Sequence, residues 1–507
     1  MPPQCSHTAG ASGYPDNAAP AEPVSALEWA RLGAYRLRIA QYDEGIEAYR
    51  TSLELDEFQP AVWNNLGVAL CFRRQIRAAI ECFERGIALT HSVPELYSNL
   101  LFTLNYDPEI EPQQAFERHQ QWAAIYGGAE ARFLNPQPRL SDRPIRVGYV
   151  SGSFYEHSLA YTFEPILAAH SRPAFHVTCY SNSSQVDAVT ARLQRTSDCW
   201  REIYNLTDND AAALIRADAI DILVDLNGHC GGSRLTLFSQ KPAPVQVTWN
   251  GYPNTTGLRT IDYRFTCPLS DPPGQTEHIH TEELIRLPCF TCYLPPDWAP
   301  PCGPLPARSV GRVTLGCFNN IPKICDSAIE AWSRILVLVP GSRLVLKSRG
   351  YASERLRSRM REIFASAGVD ANRVEMIEFT PRREDHLDLY NRVDLALDTW
   401  PYNGTVTTME ALWMGVPVIS LVGCAHVARV GLSLLAAVGL NELAVSSADE
   451  YVATAVELAR DLPYLESLRS GMRARMASSP LMDYSTRARD MESKFRWMLD
   501  RAYGRLN

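Results

Sequence analysis

From Pro144 onward the chain alternates short apolar runs with amphipathic stretches, and this alternation limits the folds open to it more than any other feature. IRVGYVS, HVTCYS, AIDILVDLNG, VQVTWNG, DYRFT and ELIRLP are separated by stretches such as DAVTARLQRTSD and DNDAAALIRAD. After a Pro-rich interval, LPPDWAPPCGPLPARS, the pattern resumes with VTLGCFNN, SRLVLKS, RVEMIEF, VDLALDTW and PVISLVG. Between these lie helical segments such as DSAIEAWSRILVLV, ASERLRSRMREIFASAG and TTMEALWMG. Apolar strands divided by helices predict parallel sheets covered on both faces. Two such series predict two Rossmann-like α/β lobes, at 140–300 and 308–507, sharing one cleft. Ligands in such sheets sit beyond the carboxyl ends of the strands. The final stretch, TRARDMESKFRWMLDRAY, is expected to be an amphipathic helix packed across the lobes.

The first quarter of the chain has a different period. Trp29, Trp63 and Tyr97 recur at steps of 34 residues, as do Leu32, Leu66 and Leu100. Gly33 and Gly67 keep the same step, as do Tyr49 and Phe83. This is the tetratricopeptide pattern, a helix–turn–helix unit in which small residues let helices approach and aromatics fill the seams. An all-α repeat domain is therefore expected over 26–135, with two units and part of a third. So few units cannot stand alone, and two roles remain open: a groove for a protein or peptide partner, or a helical cap on the domain that follows.

The net charge of −8 argues against nucleic acid as the main partner, because phosphate neutralisation needs clustered Lys and Arg. No apolar run reaches the roughly 18–20 residues that span a bilayer. Residues 1–25, rich in Pro, Ala, Gly and Ser, have no basic segment followed by an apolar one, so they read as a disordered leader rather than a secretory signal. The expected location is the cytoplasm. Most cysteines sit in apolar stretches (Cys71, Cys82, Cys179, Cys317, Cys424), where a free thiol behaves as a small hydrophobe. Cys289 and Cys292 have CxxC spacing with Cys302 beyond, but no second pair follows to complete a zinc site. Reduced buried thiols, and no metal, are expected.

The segment LALDTWPYNGTVTTMEALWMGVPVISL is the most informative for chemistry. A buried strand is expected to end at Asp398, and a turn through Asn403 and Gly404 to lead into a helix beginning near Met409. Unpaired amides at a helix start suit a diphosphate, with hydroxyls from Thr407 and Thr408 and a carboxylate, Glu410, for ribose. Thr407 and Glu410 also have the spacing of a capping box that serves only the helix's own amides, and both readings stand at this point. Lys323, in FNNIPK after the first strand of the second lobe, is placed to meet charge on a leaving diphosphate. His157 and His229 follow strand ends in the first lobe, and His386 lies near a helix start. A histidine there can act as a base or a polarising donor. Asp208 and Asp210 look like a metal-binding DxD but fit the start of a helix better. There is no G-x-G-x-x-G or Walker lysine loop.

Taken together, VGYVSGSFYEHS, DILVDLNGH, PAPVQVTWNGYPNTTGL, FNNIPKI, DHLDLY and PYNGTVTTMEALWMGVP resemble, in order, the protein O-glycosyltransferases of glycosyltransferase family 41, which include O-GlcNAc transferase and the plant SPINDLY proteins. The resemblance implies a GT-B fold and inverting transfer from a nucleotide sugar to Ser or Thr hydroxyls of proteins, with no cofactor or metal. It implies catalytic roles for His157 and Lys323 and donor binding by Asn320, His386, Thr407, Thr408 and Glu410; Asn403 and Gly404 are expected on the donor side with them, and His229, at its strand end, on the acceptor side. Ser153 and Val406 depart from the family pattern where Asp and Thr are usual. Glu410 and the CFTCY run lean towards SPINDLY. UDP-GlcNAc is the expected donor, with GDP-fucose as the alternative; a silent repeat-bearing scaffold is the rival reading.

Overall fold

The computed structural model describes residues 23–128 and 143–504. All but the last three residues of the expected leader, and the junction between the repeats and the first lobe, lie outside the described residues. Six helices come first: α1 (Ala26–Arg38), α2 (Tyr42–Leu55), α3 (Pro60–Cys71), α4 (Ile76–Leu89), α5 (Pro94–Leu104) and α6 (Pro112–Tyr126). A capping box of Ser25 and Glu28 starts α1, and proline at the first position starts α3, α5 and α6, where its missing N–H costs nothing. The turns inside the first two units both use a left-handed residue, Ala40 at φ 62° and Arg74 at φ 59°. The third pair has a longer connection, so the repeat is regular for two units and adapted in the last.

The recurring glycines have a steric cause. A Cβ on Gly33 would lie 2.6 Å from the Tyr49 ring, and one on Gly67 would lie 2.7 Å from the Phe83 ring. Each small residue on the first helix of a unit thus receives the aromatic of the second. The stack then packs onto both lobes. Ser98 Oγ lies 3.0 Å from His229 Nδ1, and His119 Nε2 lies 2.7 Å from the Tyr252 hydroxyl, both in the first lobe. Arg74 Nε donates to the Ile324 carbonyl (2.8 Å) and Ser353 Oγ to Asp43 Oδ2 (2.6 Å), both towards the second lobe.

The first lobe holds β1 (Ile145–Ser151), β2 (Phe175–Ser181), β3 (Cys199–Glu202), β4 (Ile222–Asp225), β5 (Val245–Thr248), β6 (Tyr263–Thr266) and β7 (Glu283–Arg286). They form one parallel sheet in the order β3-β2-β1-β4-β5-β6-β7. The second lobe holds β8 (Thr314–Cys317), β9 (Arg343–Lys347), β10 (Val374–Ile377), β11 (Leu395–Leu397), β12 (Val418–Leu421) and β13 (Ala444–Val445). It too is parallel, in the order β10-β9-β8-β11-β12-β13. The edge strands β3 and β13 were not expected from the sequence, because they are short and only partly buried, so neither has the apolar run that marks a central strand. Strand order reverses direction between β1 and β4, and again between β8 and β11. Those two switch points open the crevices where ligands bind in such folds.

The final helix, Tyr484–Ala502, leaves the second lobe and packs on the first. Its Met491, Phe495, Met498 and Leu499 share a core with Val147 of β1 and Val177 of β2. Asp208 opens a helix, as expected, although the cap is Thr207, whose hydroxyl accepts from Asp210 N–H. Cys289 and Cys292 are buried thiols whose Sγ atoms contact carbonyls of Thr291 and Thr162. Cys424, expected among the buried thiols, is exposed. Its loop follows β12 rather than continuing it.

The glycine–aromatic fit yields a test. Gly67→Ala forces a methyl group into the Phe83 ring and is expected to destabilise by about 1–3 kcal/mol in urea unfolding. Adding Phe83→Leu should recover part of that loss.

Candidate active site

The switch point of the second lobe is built around Asp398, the residue that follows β11. Its buried Oδ1 accepts from Gly404 N–H (2.7 Å), Thr399 N–H (2.9 Å) and Asn319 Nδ2 (3.0 Å), while Oδ2 accepts from Ser420 Oγ (2.7 Å). Burial pushes this carboxyl's pKa up, and the donors oppose that push. The result ties the ends of β8, β11 and β12 to one side chain. Asn319 passes the connection on: its Oδ1 accepts from Thr407 Oγ1 (2.7 Å).

The helix following this turn runs Val406–Trp413, three residues earlier than the expected start near Met409, with Thr405 at the cap position. The capping box of Thr407 and Glu410 therefore does not form. Thr407 lies inside the first turn with its hydroxyl proton committed to Asn319, and Glu410 turns to other partners. Gly404 is required here by close approach: a Cβ would lie 2.6 Å from both the Thr407 and Thr408 hydroxyls. Thr408 is buried beside it. Phe318, Asn319, Tyr390, Asp398, Thr407 and Thr408 line a small cavity at this point.

Lys323 lies across the turn. Its ammonium donates to the Asn403 carbonyl (2.8 Å) and sits over the Tyr402 ring, 3.8 Å from the centroid. Burial brings its pKa down to about 8, with Asp398 acting in the opposite sense. The Asn403 side chain faces inward. Its Nδ2 donates to the Thr399 carbonyl (2.9 Å) and its Oδ1 accepts from Gly431 N–H (3.2 Å), so only its backbone oxygen meets Lys323. Asn320 is exposed, and the amide that organises the turn is its neighbour Asn319. Nothing in an Asn-Asn pair says which of the two points inward.

A second cluster surrounds Glu410, which is 4% exposed. Its carboxylate lies 3.0 Å from His386 Nε2 and 3.4 Å from Arg383, while Lys347 Nζ lies 2.8 Å from His386 Nδ1. Burial favours the neutral acid, but His386, Arg383 and Lys347 outweigh it and hold Glu410 below its ordinary pKa. Burial also brings Lys347 down to about 8. Sequence reasoning missed Lys347 and Arg383. A lysine ending a β-strand in the second lobe was the one signal for the former.

His157 lies in the loop after β1, half-buried, with Nδ1 accepting from Leu159 N–H (3.2 Å). That bond leaves the proton of a neutral ring on Nε2. The loop runs into the helix Ala160–Ala169, whose Tyr161 ring carries the Arg383 guanidinium at 3.3 Å, a contact between the lobes. His229 does not reach the cleft. It is buried between repeat and lobe, with Nδ1 3.0 Å from Ser98 Oγ and Nε2 2.9 Å from the Thr256 carbonyl. Burial drives its pKa well below the ordinary value. Both ring nitrogens are taken, so it has no atom to offer an acceptor. Ser153 is buried against Asn227, and Val406 packs against the second-lobe core.

A family model described as glycosyl transferase family 41 matches residues 129–292 and 308–491. The probable UDP-N-acetylglucosamine–peptide N-acetylglucosaminyltransferase SPINDLY of Oryza sativa subsp. japonica is 39% identical over 425 residues, 83% of this chain and 46% of its own length. Its Arabidopsis thaliana counterpart is 40% identical over 411 residues, 79% of this chain and 44% of its own length. The chain thus spans about half the length of the curated relatives it matches. A mutant of the Thermobaculum terrenum O-GlcNAc transferase superposes with a TM-score of 0.88 at 36% identity, covering 94% of this chain and 91% of that one.

The Glu410 cluster predicts an acid-dependent loss of stability. A depressed carboxyl pKa contributes stability that is complete above the unfolded value and fades as pH falls through the folded one. Glu410→Gln should therefore be less stable than wild type at pH 7, with the gap in urea midpoints narrowing below about pH 4. A gap that stays constant from pH 7 to 3 would contradict this.

Proposed function

Because the chain belongs to glycosyltransferase family 41, we propose that it is an inverting protein O-glycosyltransferase, moving a sugar from a nucleoside diphosphate to Ser or Thr hydroxyls. The observation that carries this reading is the half-buried Lys323 ammonium, held beside the start of the Val406–Trp413 helix at a switch point. In this mechanism the acceptor oxygen attacks the anomeric carbon from the face opposite the diphosphate. The bond from that carbon to the diphosphate oxygen breaks, its electron pair goes to the oxygen, the acceptor's O–H bond breaks with its proton passing to the leaving diphosphate, and Lys323 and the helix amides meet the new charge. The reaction so drawn asks for no cofactor.

Glu410, oriented by His386 and Arg383, is a ready acceptor for ribose hydroxyls, and Lys347 adds positive charge to the same pocket. Asn320 and Thr408 belong to the same donor side, while Asn403 and Gly404 shape the turn. His157, with its proton on Nε2, is suited to orient the acceptor oxygen. UDP-GlcNAc is the donor that the names of the relatives favour; the SPINDLY-like Glu410 and CFTCY run keep GDP-fucose as the alternative. The repeats are the expected route for protein acceptors. The described cysteines are all free, which supports a reducing compartment such as the cytoplasm. Among the described residues no helix is long and apolar enough to cross a membrane.

Thermal shift with UDP, UDP-GlcNAc, GDP and GDP-fucose should stabilise with one base only, by about 2.7 kcal/mol at a hundredfold excess over Kd. Lys323→Ala should slow transfer by about 10²–10³-fold, the scale of losing one charge-stabilising group. Wild-type rates in that variant would refute the role given to Lys323.

A further inference from the structure

Tyr402 stands where the repeats, the first lobe and the second lobe share an apolar cluster. Its ring stacks on Tyr106 (centroids 5.4 Å apart, planes 25°) and lies 6.1 Å from Phe102, both from the repeats. Phe102 in turn packs on Tyr252 of the first lobe at 6.1 Å, and Cys230 joins the same cluster. The other side of the Tyr402 story is Lys323, whose ammonium sits 3.8 Å from the ring centroid. The backbone beneath is fixed as well: the Tyr402 carbonyl accepts from Thr399 Oγ1 (2.8 Å), and the next carbonyl, of Asn403, accepts from Lys323.

An ammonium has three N–H bonds and lies on a flexible four-carbon stem. Here one N–H is directed by a carbonyl and the cation is held by a ring face, so the remaining donor capacity is aimed rather than free to wander. The charged and titratable groups that act on Lys323 are few: Asp398 and the Cys317 thiol from the second lobe. The groups packed behind Tyr402, namely Phe102, Tyr106, Tyr252 and Cys230, carry no charge. The ring is thus the feature that sets the ammonium's position from the outer side.

We propose that Tyr402 is a positioning residue for transfer: its ring holds the Lys323 ammonium where the leaving diphosphate forms, and the stack on Tyr106 and Phe102 fixes that ring to the repeats. The proposal rests on the role of Lys323 given above. It makes the repeat stack part of the site's geometry, independent of any acceptor it carries.

The test separates the ring's electrostatic hold from its packing. The sequence has four lysines, Lys241, Lys323, Lys347 and Lys494, so trace acetylation with acetic anhydride from pH 6 to 11, read by peptide mass spectrometry, titrates each one without any donor. Tyr402→Leu keeps the site apolar but removes the π face, so the Lys323 midpoint should fall by about 0.5–1 pH unit and kcat by about 5–10-fold. Tyr402→Phe should restore both, and the Lys347 midpoint should stay put in each variant. Tyr106→Leu weakens the same stack and leaves the Tyr402 ring itself in place. It should lower Tm and move the Lys323 midpoint in the same direction as Tyr402→Leu but by less, because the ring remains while its seat is loosened; an unmoved midpoint would remove the repeat stack from the proposal. A Lys323 midpoint unchanged in Tyr402→Leu, or equal damage from Tyr402→Phe, overturns the proposal. If the midpoint follows the ring while wild type transfers no sugar, the functional reading fails and the ring's hold on the ammonium is supported.

Discussion

The second lobe depends on one buried carboxylate. Asp398 accepts four hydrogen bonds, from two backbone amides, one side-chain amide and one hydroxyl. A carboxyl out of water is costly unless its lone pairs are met, and here each donor comes from a different part of the turn or from a neighbouring strand end. The same bonds that satisfy Asp398 therefore determine where the turn runs. Asn403 follows from it, presenting its carbonyl to Lys323, and so does Gly404, whose missing side chain leaves room for the hydroxyls of Thr407 and Thr408. Asn319 extends the arrangement to the helix. A cleft between two sheets is open space by topology; this network gives it a defined wall.

The repeats share in that wall. The turn of their second unit reaches the second lobe through Arg73 and Arg74, and the last pair of helices reaches the first lobe through Ser98, Asn105 and His119. A short stack that cannot bury its own faces thereby gains neighbours on two sides. The final helix adds a further tie from the end of the chain back to the first lobe, where Glu492 bonds His170 Nδ1 (3.0 Å) and Ser171 N–H (2.8 Å). Two lobes that touch through Arg383 and Tyr161, and through His426 and Asp271 (2.7 Å), are thus also bridged from outside. Cap and groove, the two roles open for the repeats, are not exclusive. The packing supplies the first whatever the stack binds.

Charge in this protein is local. The chain carries −8 overall, yet Lys347 and Arg383 gather around the buried Glu410, and Lys323 sits at the neighbouring turn. Buried ionic groups need this mutual support, since each alone would be driven to its neutral form. A bound diphosphate would face a site whose cations are already held in position, with little to reorganise.

The sequence by itself determined the architecture and the addresses of the loops. A step of 34 residues specified helical hairpins, and apolar runs between amphipathic ones specified parallel sheets, because both patterns record which faces are buried along a local stretch of chain. Strand ends followed, and with them the neighbourhoods of His157, Lys323, Asp398 and Thr407. Only the tertiary structure decided which side chains in those neighbourhoods point where. Asn319 rather than Asn320 turns inward because Asp398 waits 79 positions away. His229 is consumed by a serine of the repeats, the Thr407–Glu410 capping box gives way to His386 and Arg383, and Lys347 enters the site from a neighbouring strand. Periodicity describes a segment against an averaged interior. The direction of a single polar side chain is set by partners far along the chain, and those exist only once the fold has assembled them.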